Sequence, residues 1–368
     1  MVMASDNQQQ QQQQQKENLV RTGTPVRIAT WNLRYDVLPD NIPVSASLTK
    51  LPDPRLPLPK KALRGEQPWS ARRVRVAQRL LASKVDLVGF QEALIRQVDD
   101  LNELLGGSSE FGWVGVGRDD GVSAGEFSPI FYRRSAFTLL ATDTFWLSNT
   151  PFTPGSIFPG AGCPRLATYA RFRLFAADRE EGNPFLPPPP PPPPPCDIVL
   201  LNTHLDHVSD DQRRLGAAMI LHRARYEAAV RPGVSVLVTG TLIGASANGS
   251  DSGAYAVLTG AEPIAPAVPD EFDRRFPLPL PLPDDIAGWI MQDLRVVAPR
   301  VAVGGQWATF TGFEHRKEDE ACIDFVFGRS DGGWYEARSV FVETALSDDG
   351  MLASDHRLVV ADVTIVGS

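Results

Sequence analysis

Cysteine is scarce in this chain of 368 residues, and the three present, Cys163, Cys196 and Cys322, lie far apart. They form no Cys-x-x-Cys pair. Neither a zinc ribbon nor a disulfide framework is expected, and a reducing compartment is the simpler setting. Long apolar runs are missing too. With no stretch of about 18 apolar residues, no transmembrane helix is expected. The opening MVMASDNQQQ lacks the apolar centre of a secretory signal, so an intracellular, cytoplasmic location is the expectation. Nor is there a basic excess: Lys and Arg number 36 against 44 Asp and Glu, a formal net charge of −8. That balance weighs against charge-driven wrapping of long nucleic acid, although it leaves room for a small basic cleft.

The chain is 43% hydrophobic and 22% charged, the composition of a globular protein with a substantial core. Two low-complexity runs stand out. Gln8 to Gln15 are all glutamine, so residues 1–24 read as a disordered tail. Pro187 to Pro195 are all proline. Such a run cannot join a sheet ladder and reads as a polyproline II spacer in an enlarged hairpin loop, or as a ligand for a proline-reading domain. Residues 25–368 read as one domain carrying Pro-rich loop insertions at 38–60, 177–196 and 261–283, because strand patterns resume after each.

The remaining pattern alternates. Short apolar strands are expected at Pro25–Asn32, Asp86–Gln91, Ser128–Tyr132, Phe137–Phe145, Thr168–Phe175, Asp197–Thr203, Val234–Gly240, Cys322–Gly328, Ser339–Glu343 and Val359–Ile365. Helices are expected from Pro68 to about Ser83, with proline in the first turn, and at Ala93–Leu105, Asp210–Val230 and Ser252–Leu258. Two sheets packed face to face, each covered by helices, would bury every sheet face.

Several strands end in polar residues that core packing does not ask for. IATWNLRYD places Asn32 after a strand, DLVGFQEAL places Gln91 and Glu92, and VLLNTHLDH places Asn202, His204, Asp206 and His207. CIDFVF holds Asp324, and ASDHRLVV sets Asp355 and His356 before a strand. Singly, each has a plain reading: Glu92 as the negative start of a helix, Asp355 and His356 as a turn. Together they suggest chemistry. The oxygen donors Asn32, Glu92 and Asp355 suit Mg²⁺ or Mn²⁺. Histidines with aspartates can stabilise a phosphoryl transition state and orient a nucleophilic water. Ser354, Asp355 and His356 are adjacent, which is unlike a serine-hydrolase triad built from separate segments. Trp146, Phe310 and Phe313 could line a cleft, with core packing their plainer role.

TWNLRYD, W-S-x-R-R (Trp69 to Arg73), DLVGFQEA, SPIFYR, TFWLS, NTHLDH, TFTGF, IDFVF and SDHRLV, in that order, resemble the endonuclease/exonuclease/phosphatase superfamily of metal-dependent phosphoesterases. The blocks cover most of residues 26–365. The likeness is strongest to NTHLDH-bearing bacterial and fungal hydrolases, with kinship to the deadenylase-type and sphingomyelinase-type branches. The resemblance implies an α/β fold, a four-layer α/β/β/α sandwich with two mixed sheets packed face to face. It implies Asn32 and Glu92 as a metal-binding pair and Asp355 as a further metal-site or histidine-orienting carboxylate. His356, paired with Asp324, resembles the histidine on the scissile phosphate, and His204 the second phosphate-contacting histidine. Asp206 belongs to the same catalytic block, and Arg165 would neutralise a phosphate. The implied cofactor is Mg²⁺ or Mn²⁺, and the implied partner is a phosphorylated substrate of unspecified class.

One block departs from the family. Where relatives carry Gly-Asp-x-Asn, whose Asp activates water and whose Asn binds phosphate, this chain has Gly240-Thr241-Leu242-Ile243. Thr is no base near neutral pH, and the Ile side chain cannot hydrogen-bond. Rescue by Asp206 or Asp251 is conceivable. General acid–base help is worth about 10²–10⁴-fold. Two expectations follow: a divalent-metal-dependent hydrolase of phosphodiesters or phosphomonoesters, impaired at this corner, or an inactive member that binds metal and a phosphorylated ligand.

Overall fold

The computed structural model describes residues 23–53, 55–56, 65–175, 196–242, 252–261, 266–281, 286, 288–314, 316–330, 335–347 and 349–366. The glutamine run, the proline run and Ile243 lie outside them.

The strands are β1 (Thr24–Asn32), β2 (Leu87–Gln91), β3 (Phe111–Val114), β4 (Ile130–Arg133), β5 (Phe137–Trp146), β6 (Leu166–Leu174), β7 (Cys196–His204), β8 (Ser235–Thr241), β9 (Gln292–Asp293), β10 (Val303–Gly305), β11 (Asp324–Ser330), β12 (Tyr335–Val342) and β13 (Val359–Ile365). The helices are α1 (Val44–Thr49), α2 (Trp69–Ala82), α3 (Ile95–Leu104), α4 (Gly107–Glu110), α5 (Asp210–Val230), α6 (Gly253–Thr259), α7 (Asp270–Arg275) and α8 (Leu294–Val297). One sheet runs β10-β12-β13-β1-β2-β4-β3 and the other β5-β6-β7-β8-β11-β9. Both are mixed: β1 pairs parallel with β2, and β7 with β8, among otherwise mostly antiparallel neighbours.

The period of two along each strand builds the layers. Val26, Ile28, Leu87, Ile198, Leu200, Leu237 and Val326 meet in one apolar cluster between the sheets. The alternate residues of the first sheet, Ala29, Trp31, Val88 and Phe90, pack with Val76, Ala77 and Leu80 of α2 and Val98 and Leu101 of α3. The alternate residues of the second sheet, Val199, Leu201, Val236 and Val238, pack under Ala217, Ile220 and Ala224 of α5. The result is the expected helix–sheet–sheet–helix sandwich.

Toward one end the inner faces turn polar. Gln91 Nε2 donates to Asn202 Oδ1 at 2.8 Å, and Asn202 Nδ2 donates to the carbonyls of Phe90 and Pro129. Thr239 Oγ1 also donates to Asn202 Oδ1. These groups are fully buried and tie sheet to sheet through hydrogen bonds that satisfy the Asn202 amide. Gly89 makes the close approach possible. A Cβ on it would stand 2.3 Å from Thr239 Oγ1 and 2.4 Å from Asn202 Oδ1.

Two segments read as loop insertions contain helices. Within 38–60, α1 is anchored by the buried Arg73, which donates to Ile42 O and Ser47 Oγ. Within 261–283, α7 buries Phe272 against Phe145 at 4.9 Å between ring centroids. In both, a few apolar or hydrogen-bonded anchors outweigh the surrounding prolines. Pro68 precedes α2 as its N-cap rather than standing in its first turn.

Candidate active site

The ends of the parallel pairs β1–β2 and β7–β8 lie at the polar end of the sandwich. Asn32 closes β1 and Glu92 follows β2. Asn32 Nδ2 donates to Glu92 Oε1 at 2.8 Å, and Asn32 Oδ1 accepts the backbone N–H of Arg34 at 2.9 Å. That N–H decides which end of the amide is oxygen. Glu92 Oε2 accepts from Tyr35 N at 3.3 Å. Both Arg34 (φ 56°) and Glu92 (φ 60°) have left-handed backbones.

Arg72, fully buried, stitches this corner to the last strand's approach. It donates to the carbonyls of Leu33 (2.7 Å), Ala353 (3.0 Å), Arg34 (3.1 Å) and Gln67 (3.0 Å). Ser354 Oγ donates to Asn32 O at 2.7 Å and accepts from His356 N. Asp355 therefore stands beside the Asn32–Glu92 pair. Burial pushes its carboxyl up; the charge of His356 opposes this and that of Glu92 adds to it.

His356 is buried, with Nδ1 2.8 Å from Asp324 Oδ2. Burial alone would lower its pKa. The Asp324 charge and hydrogen bond, with Asp355 and Glu92, prevail and raise it to about 9. Phe310 packs edge-on against the ring at 4.9 Å. Thr241 sits opposite Asp324 in the β8–β11 register, and its Oγ1 donates to Asp324 Oδ1 at 2.6 Å.

A cleft of about 540 Å³ opens beside this group, with Arg34, Tyr35, Glu92, Arg118, Glu126, Cys163, Arg165, His204 and His207 in its walls. His204 ends β7. Burial and the charge of Arg165 hold its pKa well below the usual histidine value, so it is neutral at pH 7. Its Nδ1 has no hydrogen-bond partner and lies 4.0 Å from Glu126 Oε2. Arg165 stands 3.2 Å from His207 Nδ1, 3.6 Å from Asp206 and 3.9 Å from Glu126.

Asp206 is different. It is fully buried, and its carboxylate accepts the backbone N–H groups of Gly162, Val208 and Ser209. These bonds outweigh desolvation and hold its pKa below the ordinary value. It organises the loop after β7 and lies outside the cleft walls. Rescue of a missing base by Asp206 has no geometric support. Trp146 is buried, its indole N–H bound to Arg118 O, and Phe313 lies 5.7 Å from the Arg72 guanidinium.

Sequence reasoning missed Glu126 and Arg118, which are joined by a 2.6 Å ion pair. Burial, followed by the Glu92 charge, raises the Glu126 pKa. The available signal was a carboxylate just ahead of SPIFYR. Arg34, Tyr35 and His207 of the cleft were visible in the motif blocks without an assigned role.

The carboxylates of Glu92 and Asp355 fit a divalent cation, whereas Asn32, expected as a third ligand, holds Glu92 through its amide N–H. Asp355 is a buried carboxyl whose ionisation the Glu92 charge opposes, an environment a hard cation relieves, while the Asn32 amide turns its N–H to Glu92 and its oxygen to Arg34 N. Cys163, Asp206 and His207 also bring three potential ligand atoms within 4.8 Å of one another. There the Arg165 guanidinium already occupies the electrostatic place of a cation.

No protein-family model matches the chain, and no curated protein does either. Solved structures do. The chain shares its fold with solved endonuclease/exonuclease/phosphatase proteins. It is similar to the endonuclease/exonuclease/phosphatase of Bacteroides vulgatus, at 28% identity and a TM-score of 0.65, over 93% of this chain and 99% of that one. It also shares its fold with the Bacteroides thetaiotaomicron mannosyl-6-phosphatase Bt3783 (19% identity, TM-score 0.59, 92% and 99% covered). The fold recurs in truncated Caenorhabditis elegans TDP2 (15%, 0.52, 93% and 97%). Among the described residues, no helix is long and apolar enough to cross a membrane.

Proposed function

We propose that the protein is a divalent-metal-dependent hydrolase of phosphoester bonds in small phosphorylated molecules. The observation that carries this reading is the buried His356–Asp324 pair at 2.8 Å, set beside Asn32, Glu92 and Asp355. A cleft of about 540 Å³ falls within the usual range for small-molecule sites, and the acidic overall charge disfavours long nucleic acid. The likeness to a mannosyl-6-phosphatase favours a phosphomonoester as the first substrate to assay.

A Mg²⁺ or Mn²⁺ ion held by Glu92 and Asp355 would offset charge developing on the phosphoryl oxygens, with Asn32 positioning Glu92 through its amide N–H. The two histidines divide the remaining work. His356, with a pKa near 9, is protonated at pH 7, and Asp324 occupies its Nδ1. Its Nε2–H is left to donate to a phosphate oxygen. His204 is neutral, with a ring nitrogen unpaired, and can accept a proton. Environments that push two titratable groups apart separate acid from base. Arg165 and Arg118 line the cleft as cations for a phosphate dianion.

The test is hydrolysis of p-nitrophenyl phosphate and bis(p-nitrophenyl) phosphate with Mg²⁺. Wild type should turn over, EDTA should abolish turnover until Mg²⁺ or Mn²⁺ is restored, and Glu92→Gln and His356→Gln should each lower kcat by about 10²-fold or more. Turnover indifferent to EDTA and to Glu92→Gln sinks the proposal. A second reading, binding without turnover, draws on the absence of a carboxylate at Thr241. It predicts no turnover in any variant, with Mg²⁺ binding by calorimetry lost in Glu92→Gln.

A further inference from the structure

Thr241 lies where relatives carry a carboxylate, yet its hydroxyl is engaged. It is 3% exposed and donates to Asp324 Oδ1 at 2.6 Å, while Asp324 Oδ2 meets His356 Nδ1 at 2.8 Å. Both oxygens of one buried carboxylate are therefore each held by a different neighbour. The backbone N–H of Asp324 is held as well, by Thr309 Oγ1 at 3.0 Å. We propose that Thr241 is a positioning residue for His356, acting through Asp324. The catalytic meaning of this role rests on the phosphoester-hydrolase reading; the structural clamp stands independently.

The physical reason is the softness of a carboxylate torsion. Rotation about the last Asp bond is broad and roughly two-fold. One hydrogen bond leaves the plane of the group free to tilt, and a tilted carboxylate re-aims the imidazole it holds. A second donor on the other oxygen removes that freedom. The donor must reach from β8 to β11, and the antiparallel register that pairs Thr241 with Asp324 supplies it. Thr241 also lies level with His204 in the parallel β7–β8 register. One short side chain thus neighbours His204 in the sheet and reaches His356 through Asp324.

The proposal reverses a simple expectation about this corner. Replacing Thr241 with aspartate swaps a donor for an acceptor and sets a second carboxylate against Asp324 Oδ1. In this chain Thr241→Asp should break the clamp rather than restore a base.

The experiment compares Thr241→Val, Thr241→Ser and Thr241→Asp with wild type. Two quantities are followed: the downfield proton resonance of the His356 Nδ1–H hydrogen bond, and steady-state turnover of p-nitrophenyl phosphate with Mg²⁺. Valine keeps the shape and lacks the hydroxyl. It should displace or broaden the resonance and lower kcat about 10- to 100-fold, the scale of one hydrogen bond to a charged group, with KM within about two-fold. Serine should return the resonance to its wild-type position and most of the lost kcat. A wild-type resonance in folded Thr241→Val, or a Thr241→Asp enzyme faster than wild type, overturns the proposal. If no form turns over, the hydrolase reading fails while the resonances of the valine and serine variants still decide the clamp.

Discussion

At the scale of single residues, Arg72 shows how much of the site depends on a group that never meets solvent. Its guanidinium reaches four backbone carbonyls on three segments, and Glu66 stands 3.8 Å away. Removing it strands those carbonyls and leaves Arg34 as the remaining cation beside Glu66. We expect Arg72→Met to lose about 3–5 kcal/mol in urea unfolding. Arg72→Lys should recover only part, because an ammonium cannot span the fork. A loss under 1 kcal/mol for Arg72→Met contradicts this account. The motif W-S-x-R-R made Arg72 visible in the sequence, but its task was not, since its acceptors are main-chain oxygens that any residue supplies. Glu126 and Arg118 were hidden for another reason. They lie on an irregular stretch between β3 and β4, where no period marks which side chains face a cleft.

At the scale of elements, the strands were the most legible feature because their side chains alternate between two buried faces. β13 and α5 run over the residues expected, and most others shift by one to three positions. Pairing between distant strands was not legible. Thr241 and Asp324 are 83 positions apart, and nothing local announces their register. Thr241 therefore read as a missing base when it is also a partner. Sheet-to-sheet distance is likewise invisible until Gly89 is seen facing Thr239 and Asn202. We expect Gly89→Ala to force the sheets apart at the polar end and to destabilise the fold by about 1–3 kcal/mol. Thermal unfolding measures this, and an unchanged midpoint counts against the close packing described.

For the whole molecule, the two site histidines pull stability in opposite directions with pH. The folded pKa of His356 is raised to about 9. The stability it contributes is complete below its ordinary value of 6.5 and is lost as pH rises through about 9. The folded pKa of His204 is depressed below 6.5. Above that value it imposes no penalty; as pH falls below it, the unfolded chain takes up a proton that the folded chain refuses. His222, lowered mainly by burial, acts in the same sense as His204. Metal-free protein scanned by calorimetry in EDTA should lose stability on both sides of a maximum between these limits. His356→Gln should flatten the alkaline limb, and His204→Gln should soften the acid limb. Variants that both retain the wild-type profile would show that other groups govern it.

The left-handed backbone at Arg34 and Glu92 carries an energetic consequence. A side chain in that conformation costs about 1–2 kcal/mol that glycine does not. Glu92 therefore carries a backbone cost that a glycine at the same position would not. The backbone part can be isolated by comparing Glu92→Gly with Glu92→Ala, which lose the same carboxylate. Glycine should be the more stable by about 1 kcal/mol, and equal stabilities would remove the strain from the account. If the difference is found, the hydrogen bonds that Glu92 accepts from Asn32 Nδ2 and Tyr35 N are held against a backbone cost that glycine would avoid.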